Sequence, residues 1–288
     1  MSMKSFFNRT AAWLLLLPAS FLLALMVVIP LIVLVWFSFA PNGLDAPLGL
    51  DSYEQMVGSP LYGLLALKTF GTAGLAALIT AALAWGPAWV LSRLPAHLRN
   101  LALLAIIIPY LTSYLLLIYS IFIVLGTASP LMMLARFLGL AQSGESVLFT
   151  PAATIVMLVY ENLPVMVFVL FAGMQRVDGS LLAAAGSLGA RRLARMVHVV
   201  FPMSLPSLII GLIMVFVPMG GAFVESQILG GPNGLLLGNV IADQMTQADN
   251  PSFGAALSLL LLLGTLLIAG LLAVLRPALA LMGRNRHV

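Results

Sequence analysis

Glu161 stands in the middle of an otherwise uncharged run, PAATIVMLVYENLPVMVFVLFAGMQ, with Tyr160, Asn162 and Pro164 beside it. A charged side chain at the centre of a membrane costs about 2.5–3.5 kcal/mol on insertion scales, so one found there is by default a functional-site hypothesis. A second apolar run, IIIPYLTSYLLLIYSIFIVLG, gathers Pro109, Tyr110, Thr112, Ser113, Tyr114 and Tyr119 within three turns. Hydroxyls at that density serve either as hydrogen bonds between helices or as the lining of a pore. Glu225 follows a third apolar run that carries Pro202, Pro206 and Pro218. Two carboxylates near the aromatic faces of Tyr110, Tyr114 and Tyr160 make a path suited to a small cationic or amino-bearing solute. Each ring adds cation–π attraction of roughly 0.5–2 kcal/mol, whereas an anion would be repelled. The other reading of Glu161 is a carboxyl that bonds a neighbouring helix.

Several chemistries are excluded. No cysteine is present, which removes disulfides and thiolate metal sites, and the three histidines, His97, His198 and His287, are too scattered to form a ligand set. There is no G-x-x-x-x-G-K-[ST] sequence to cradle phosphates, and neither lysine, Lys4 or Lys68, has that context. G-x-S-x-G and H-E-x-x-H are also missing. The chain therefore reads as no enzyme and as holding no cofactor or metal of its own.

These residues need spanning helices to position them. Of 288 residues, 62% are hydrophobic and only 8% charged, with a mean hydropathy of +1.12, far outside soluble composition. A spanning helix takes about 20 mainly apolar residues. Six such spans are expected: Ala12 to Phe39, Thr69 to Ser92, Leu101 to Leu125, Pro151 to Gln175, Pro202 to Val224 and Pro251 to Leu275. The first is longer than the roughly 7–15 apolar residues of a signal core and reads as an uncleaved span. Thr150-Pro151 and Asn250-Pro251 each pair an N-cap with proline at the first helical position. In the second span, Gly71, Gly74 and Gly86 lie beside many alanines, a composition that permits close packing in a bilayer.

Lys4, Arg9, Arg93, Arg99, Arg176, Arg191, Arg192, Arg195, Arg276, Arg284 and Arg286 fall on one side of this arrangement, leaving Lys68 and Arg136 on the other. Basic loops stay cytoplasmic, so both termini are expected in the cytoplasm. Asp45, Asp51, Glu54, Glu145, Glu225, Asp243 and Asp249 gather near the opposite face. The formal charge of +4 is spread beside apolar runs rather than gathered in a patch, which argues against a nucleic-acid partner and for membrane lipid. The chain reads as one transmembrane domain over residues 1–288. On its outer side, LGLDSYEQMVGSP is an amphipathic segment suited to docking another protein, and LMMLARFLGL is a short apolar piece.

The one long polar stretch between apolar runs is DGSLLAAAGSLGARRLARMVHVVFPMSLP, Asp178 to Pro206. Ala183, Ala184 and Ala185 are followed after three residues by Gly189, and after nine more by Val199, Val200, Phe201 and Pro202. This spacing resembles the E-A-A-x3-G-x9-I-x-L-P loop of bacterial binding-protein-dependent ABC importers. Further on, LGGP, GNVIADQ and PSFGAALSLLL, with P-x-x-T-S-x-L around Thr112 and Ser113, are similar to the permeases of the spermidine/putrescine importer family. The resemblance implies an all-α inner-membrane permease of the type I ABC importer fold with six transmembrane helices. It also implies a cytoplasmic coupling loop at about 176–201 that docks on an ATPase, in which Ala183, Ala184, Ala185, Gly189, Ala190, Arg191, Arg192 and Arg195 make the contacts. Gly189 would provide the turn, and the arginines would stay in water. LMMLARFLGL is similar to the family's small periplasmic helix. The implied partners are a second, homologous permease, a pair of ATP-binding subunits that hold ATP and Mg, and a periplasmic substrate-binding protein.

The chain departs from the pattern in places. The loop's leading glutamate is Ala183, an arginine common in the third span is Leu117, and two acids common before the GG pair are Gln227 and Ala222. The acids present instead are Glu161 and Glu225. A polyamine is the first expectation for the solute, with opines, 4-aminobutyrate and aminophosphonates as alternatives. A carrier driven by an ion gradient is the competing class, and the lack of an obvious inverted repeat argues against it. A channel would need a recurrent ring or filter sequence, and none stands out.

Overall fold

The computed structural model describes residues 3–40, 48–137 and 146–284, and those residues form helices and connecting turns. A long uninterrupted apolar run has one economical solution in a bilayer, because a helix pairs its backbone donors and acceptors within the segment. Among the described residues, five helices are long and apolar enough to cross a membrane, and a sixth span results if one bent pair is counted. They are α1 (Met3–Phe39), α3 (Pro60–Arg93), α7 (Pro151–Met174), α10 (Phe201–Gly220) and α12 (Pro251–Arg284), with the pair α4 (Ala96–Ile107) and α5 (Tyr114–Leu125). Shorter helices connect them: α2 (Asp51–Gly58), α6 (Pro130–Phe137), α8 (Gly179–Ser187), α9 (Arg192–Arg195) and α11 (Leu237–Thr246).

Several expectations are met. Thr150 caps α7 by accepting from the Ala153 amide, and Asn250 caps α12 by accepting from the Phe253 amide at 3.1 Å. Part of LMMLARFLGL forms α6, and its remainder lies outside the described residues. The amphipathic segment LGLDSYEQMVGSP contains α2, and α3 begins directly after that helix at Pro60, nine residues before the expected Thr69.

The third span is not a single helix. Pro109 has no amide to donate and clashes with the carbonyl four residues back, so α4 ends at Ile107 in a 3-10 turn over Pro109–Leu111. Thr112 is extended, and α5 restarts at Tyr114 at 94° to the first segment. Within this chain the alanines of α3, rather than its glycines, make the close contacts. A Cβ added at Gly71, Gly74 or Gly86 would meet nothing within 4 Å. The buried face is mainly Ala73, Ala76, Ala77, Ala81, Ala84 and Ala88, together with Ala66, Thr69, Thr80 and Leu91, a spacing that keeps them on one side of a 3.6-residue helix.

The chain divides into two compact units. The first comprises Met1–Tyr62 with Ile241–Leu260. Here Ser252 donates to the carbonyl of Ala40, Ser38 and Tyr53 share a hydrogen bond of 2.8 Å, and Tyr62 meets the ring of Phe253 edge-on at 5.0 Å. The second comprises Gly63–Val240 with Leu261–Val288. Its core sets the alanine face of α3 against Leu158, Met166, Leu170 and Met174 of α7 and Val215, Phe216 and Met219 of α10. α7 and α10 approach closely because small residues remove side-chain bulk between them. A Cβ on Gly211 would come within 2.5 Å of Met166 Sδ, and one on Gly173 would overlap Ser207. A smaller cluster joins Leu117 and Ile118 of α5 to Ala153 and Met157 of α7 and to Leu229.

Candidate functional site

The break between α4 and α5 opens a cavity of about 450 Å³ in the second unit. Its polar lining is Tyr110 and Thr112 from the break, Tyr114 from the first turn of α5, and Tyr160 and Glu161 from α7. Pro87, Ile106, Pro109, Leu117, Leu163, Pro164 and Val167 supply the apolar walls. Three lining prolines fit the cavity's origin, since each interrupts a helix's own hydrogen bonding where the wall is formed.

Glu161 is half-buried, and its Oε2 is a buried atom with no hydrogen-bond partner in the structure. Glu225 reaches the same place from a different element. It lies beyond α10, just ahead of a π turn over Ser226–Gly230, and is only 3% exposed. The Tyr114 hydroxyl donates to Glu225 Oε1, and Glu225 Oε2 is likewise buried without a partner. The two carboxyl groups lie within reach of each other. The cavity thus has a carboxyl in its wall, a second immediately behind Tyr114, and exposed aromatic faces at Tyr110 and Tyr160.

The turn that carries Glu225 is held from below by Asn239, which is 1% exposed and saturated with hydrogen bonds. Its Oδ1 accepts from the Leu236 amide at 2.9 Å, and its Nδ2 donates to the Phe223 carbonyl and to Gln227 Oε1, both at 3.0 Å. Ser226 Oγ lies 2.8 Å from Asn239 Oδ1 and 2.8 Å from the Gly234 carbonyl. Thr69 accepts from the Leu237 amide at 2.9 Å, and Lys68 donates to the Asn233 carbonyl at 2.6 Å, so α3 braces the same loop. Gly231 has a φ of +61° and would place a Cβ 2.5 Å from the Phe149 carbonyl oxygen, so glycine is required there.

Sequence reasoning expected Glu161, Tyr160, Tyr110, Tyr114 and Thr112 along the path, and the structure brings these five into one cavity. Glu225 adjoins it through Tyr114. Ser113 and Asn162 do not line it: Ser113 precedes α5, and Asn162 is buried with its amide donating to the Leu158 carbonyl at 3.0 Å. Leu117, at the position where the resemblance places an arginine, is part of the wall. Asn239 was legible only as a letter of GNVIADQ. An amide inside an apolar motif was the available signal.

The polar loop folds as a second, separate feature. Asp178 caps α8 by accepting from the Ser180 amide at 2.9 Å, and this hydrogen bond holds its carboxyl below the usual carboxylate range. α8 ends in a Schellman motif: Ala190 donates to the Ala185 carbonyl and Gly189 to that of Gly186, both at 3.0 Å, with Gly189 at a φ of +80°. Ala183, Ala184, Arg191 and Arg192 are exposed. Arg195 corrects the expectation of three solvated arginines. It is half-buried, folds back over α8 where Gly186 leaves room, and donates from Nη1 to the Leu182 carbonyl at 3.4 Å.

Comparison with known proteins agrees with this geometry. Residues 92–281 match the family of binding-protein-dependent transport system inner membrane components. Over 212 residues the chain is 36% identical to the spermidine/putrescine transport system permease protein PotB of Escherichia coli (strain K12), covering 74% of this chain and 77% of that protein. A bacterial ABC transporter involved in the import of the acidic polysaccharide alginate has a similar fold, with a TM-score of 0.71, 15% identity and 99% of each chain covered. The alginate transporter in complex with a pentasaccharide-bound periplasmic protein gives a TM-score of 0.73 at 15% identity, covering 93% of this chain and 94% of that one. The fold is that of the type I ABC importer permeases, and the chain is a multi-pass inner-membrane permease that belongs to the family of binding-protein-dependent transport system inner membrane components.

Proposed function

We propose that this permease forms part of the pathway of an ATP-driven importer that takes a polyamine, putrescine or spermidine, from a periplasmic binding protein to the cytoplasm. The carrying observation is the cavity at the broken span, where Glu161 presents a buried, unpartnered carboxylate oxygen among tyrosine rings. An ammonium group entering there gains a charge-assisted hydrogen bond and cation–π contact. Leu117 in the wall leaves the acids without a competing arginine. The 36% identity to PotB, which is named for spermidine and putrescine, supports the same solute class.

The remaining subunits follow from what the chain lacks. It carries no nucleotide-binding sequence, so ATP and Mg belong to a pair of ATP-binding subunits, and a second, homologous permease completes the path. The capped helix α8 with its exposed alanines and Arg191 and Arg192 is the surface that docks on the ATPase. Both termini and this loop lie in the cytoplasm, in keeping with the distribution of lysine and arginine.

The test is uptake of labelled putrescine, spermidine and 4-aminobutyrate by the intact assembly in vesicles, with Glu161 and with Glu161→Gln. Polyamine uptake should require ATP and fall by about tenfold or more in the variant, the scale of losing one charge-assisted contact. Unchanged rates in an intact assembly would make Glu161 a structural residue, and 4-aminobutyrate as the preferred solute would move the assignment to another branch of the family.

A further inference from the structure

The reading above gives the second carboxyl, behind the cavity wall, no defined contact with the solute. Glu225 is 3% exposed, yet only one of its oxygens has a donor, the Tyr114 hydroxyl. Burying an acceptor without a donor costs about 1–3 kcal/mol, more when the group is charged. Glu225 contrasts with the neighbouring Asn239, which has every side-chain donor and acceptor engaged. The Glu161 oxygen Oε2 likewise has no donor, and the two carboxyls lie within hydrogen-bonding reach of each other, acceptor facing acceptor until a proton or another donor comes between them. Tyr114, which lines the cavity, stands between it and Glu225.

We propose that Glu161, Glu225 and Tyr114 form a socket for a single primary ammonium group. Its three N–H bonds are met by Glu161 Oε2, Glu225 Oε2 and the Tyr114 hydroxyl oxygen, whose lone pairs are free because its hydrogen is given to Glu225. This deepens the polyamine reading and rests on it, since it states how the amine end is recognised. Tyr114 is then a specificity-determining residue: its hydrogen positions Glu225 while its oxygen accepts from the ammonium. The socket selects by counting hydrogens as well as charge. A primary ammonium satisfies three acceptors, whereas a terminal amine carrying two methyl groups has the same charge, one N–H and more bulk.

The experiment uses the complete assembly in vesicles and compares uptake of putrescine with that of its N,N,N′,N′-tetramethyl analogue. The unsubstituted assembly should prefer putrescine by at least about tenfold in kcat/KM, the discrimination expected when buried acceptors are left unpaired. Glu225→Gln should remove most of that preference. Tyr114→Phe, which keeps the ring, should retain transport while shifting the KM for putrescine, and size-exclusion profiles report whether each variant assembles. An unchanged preference in an assembled Glu225→Gln variant, together with an unchanged KM in Tyr114→Phe, overturns the socket while leaving amine transport standing. If the unsubstituted assembly carries neither polyamine nor 4-aminobutyrate, the amine reading falls and the socket falls with it.

Discussion

The coupling segment and the cavity are built in opposite ways. From Asp178 to Val200 the hydrogen bonds that shape the chain join residues no more than 13 apart: Asp178 with Ser180, Ala190 with Ala185, Arg195 with Leu182. The cavity and its floor depend on pairs separated by 111 residues (Tyr114 and Glu225), 165 (Lys68 and Asn233) and 168 (Thr69 and Leu237). A segment closed by its own caps can move as a unit without losing its internal bonds. A site assembled from remote elements cannot change without disturbing those elements together. Each construction suits its proposed task, the first to receive motion from a partner and the second to hold acceptors in place for a solute.

The sharpest way to break this contrast is at Asn239. Asn239→Ala removes one buried side chain, strands the buried Leu236 amide, takes one of two donors from the Phe223 carbonyl and frees the exposed Gln227 side chain. Stranding one buried group costs about 1–3 kcal/mol, and the lost packing of a buried side chain adds to it. Thermal unfolding of the purified assembly should show it, and polyamine uptake should fall because the turn carrying Glu225 is no longer held. A variant with native stability would mean the loop is held mainly by α3 through Lys68 and Thr69.

The same contrast explains which features the sequence made legible. The N-caps at Thr150 and Asn250 and the existence of five of the spans follow from local spacing, although α3 starts nine residues before the expected Thr69. Glu161 was conspicuous because a charge in an apolar run needs no fold to be noticed. Tyr114 and Glu225 were expected along one path, but the hydrogen bond between them was not legible, since no short-range pattern relates residues 111 positions apart. The third span misled for a different reason. Its composition is continuously apolar, and one proline was outweighed by its neighbours until the geometry showed a 94° bend. On α3 the glycines drew attention by type, while the buried face follows the period of the alanines.

Gly189 sharpens the comparison from the loop's side. Its φ of +80° lies where an L side chain is strained, while a Cβ there would meet nothing within 4 Å. Gly189→Val therefore carries a purely backbone penalty of about 1–3 kcal/mol, confined to the end of α8. Global stability should change less than in Asn239→Ala, whereas ATP hydrolysis should become uncoupled from uptake because α8 and α9 no longer hold their mutual angle. Normal coupling ratios in this variant would remove the proposed role of the segment.

The smallest effect is expected at the other end of α8. Asp178 is fully exposed, and its carboxyl is held below its ordinary value by the hydrogen bond from the Ser180 amide. A group whose value is lowered by folding contributes stability above its unfolded value and loses that contribution as pH falls through the lowered one. The first turn of α8 should accordingly be insensitive to pH across the neutral range and fray only in acid, below the usual carboxylate range. Asp178→Asn keeps an acceptor for the Ser180 amide but has nothing to titrate, so it should abolish the acid-dependent fraying while leaving the turn formed at neutral pH. Hydrogen exchange of the amides at Ser180 to Leu182, followed as pH is lowered, reads this directly. If Asp178→Asn frays in acid as the unsubstituted chain does, the start of α8 is held by packing against Arg195 rather than by its own cap, and the segment is less self-contained than its bonding pattern indicates.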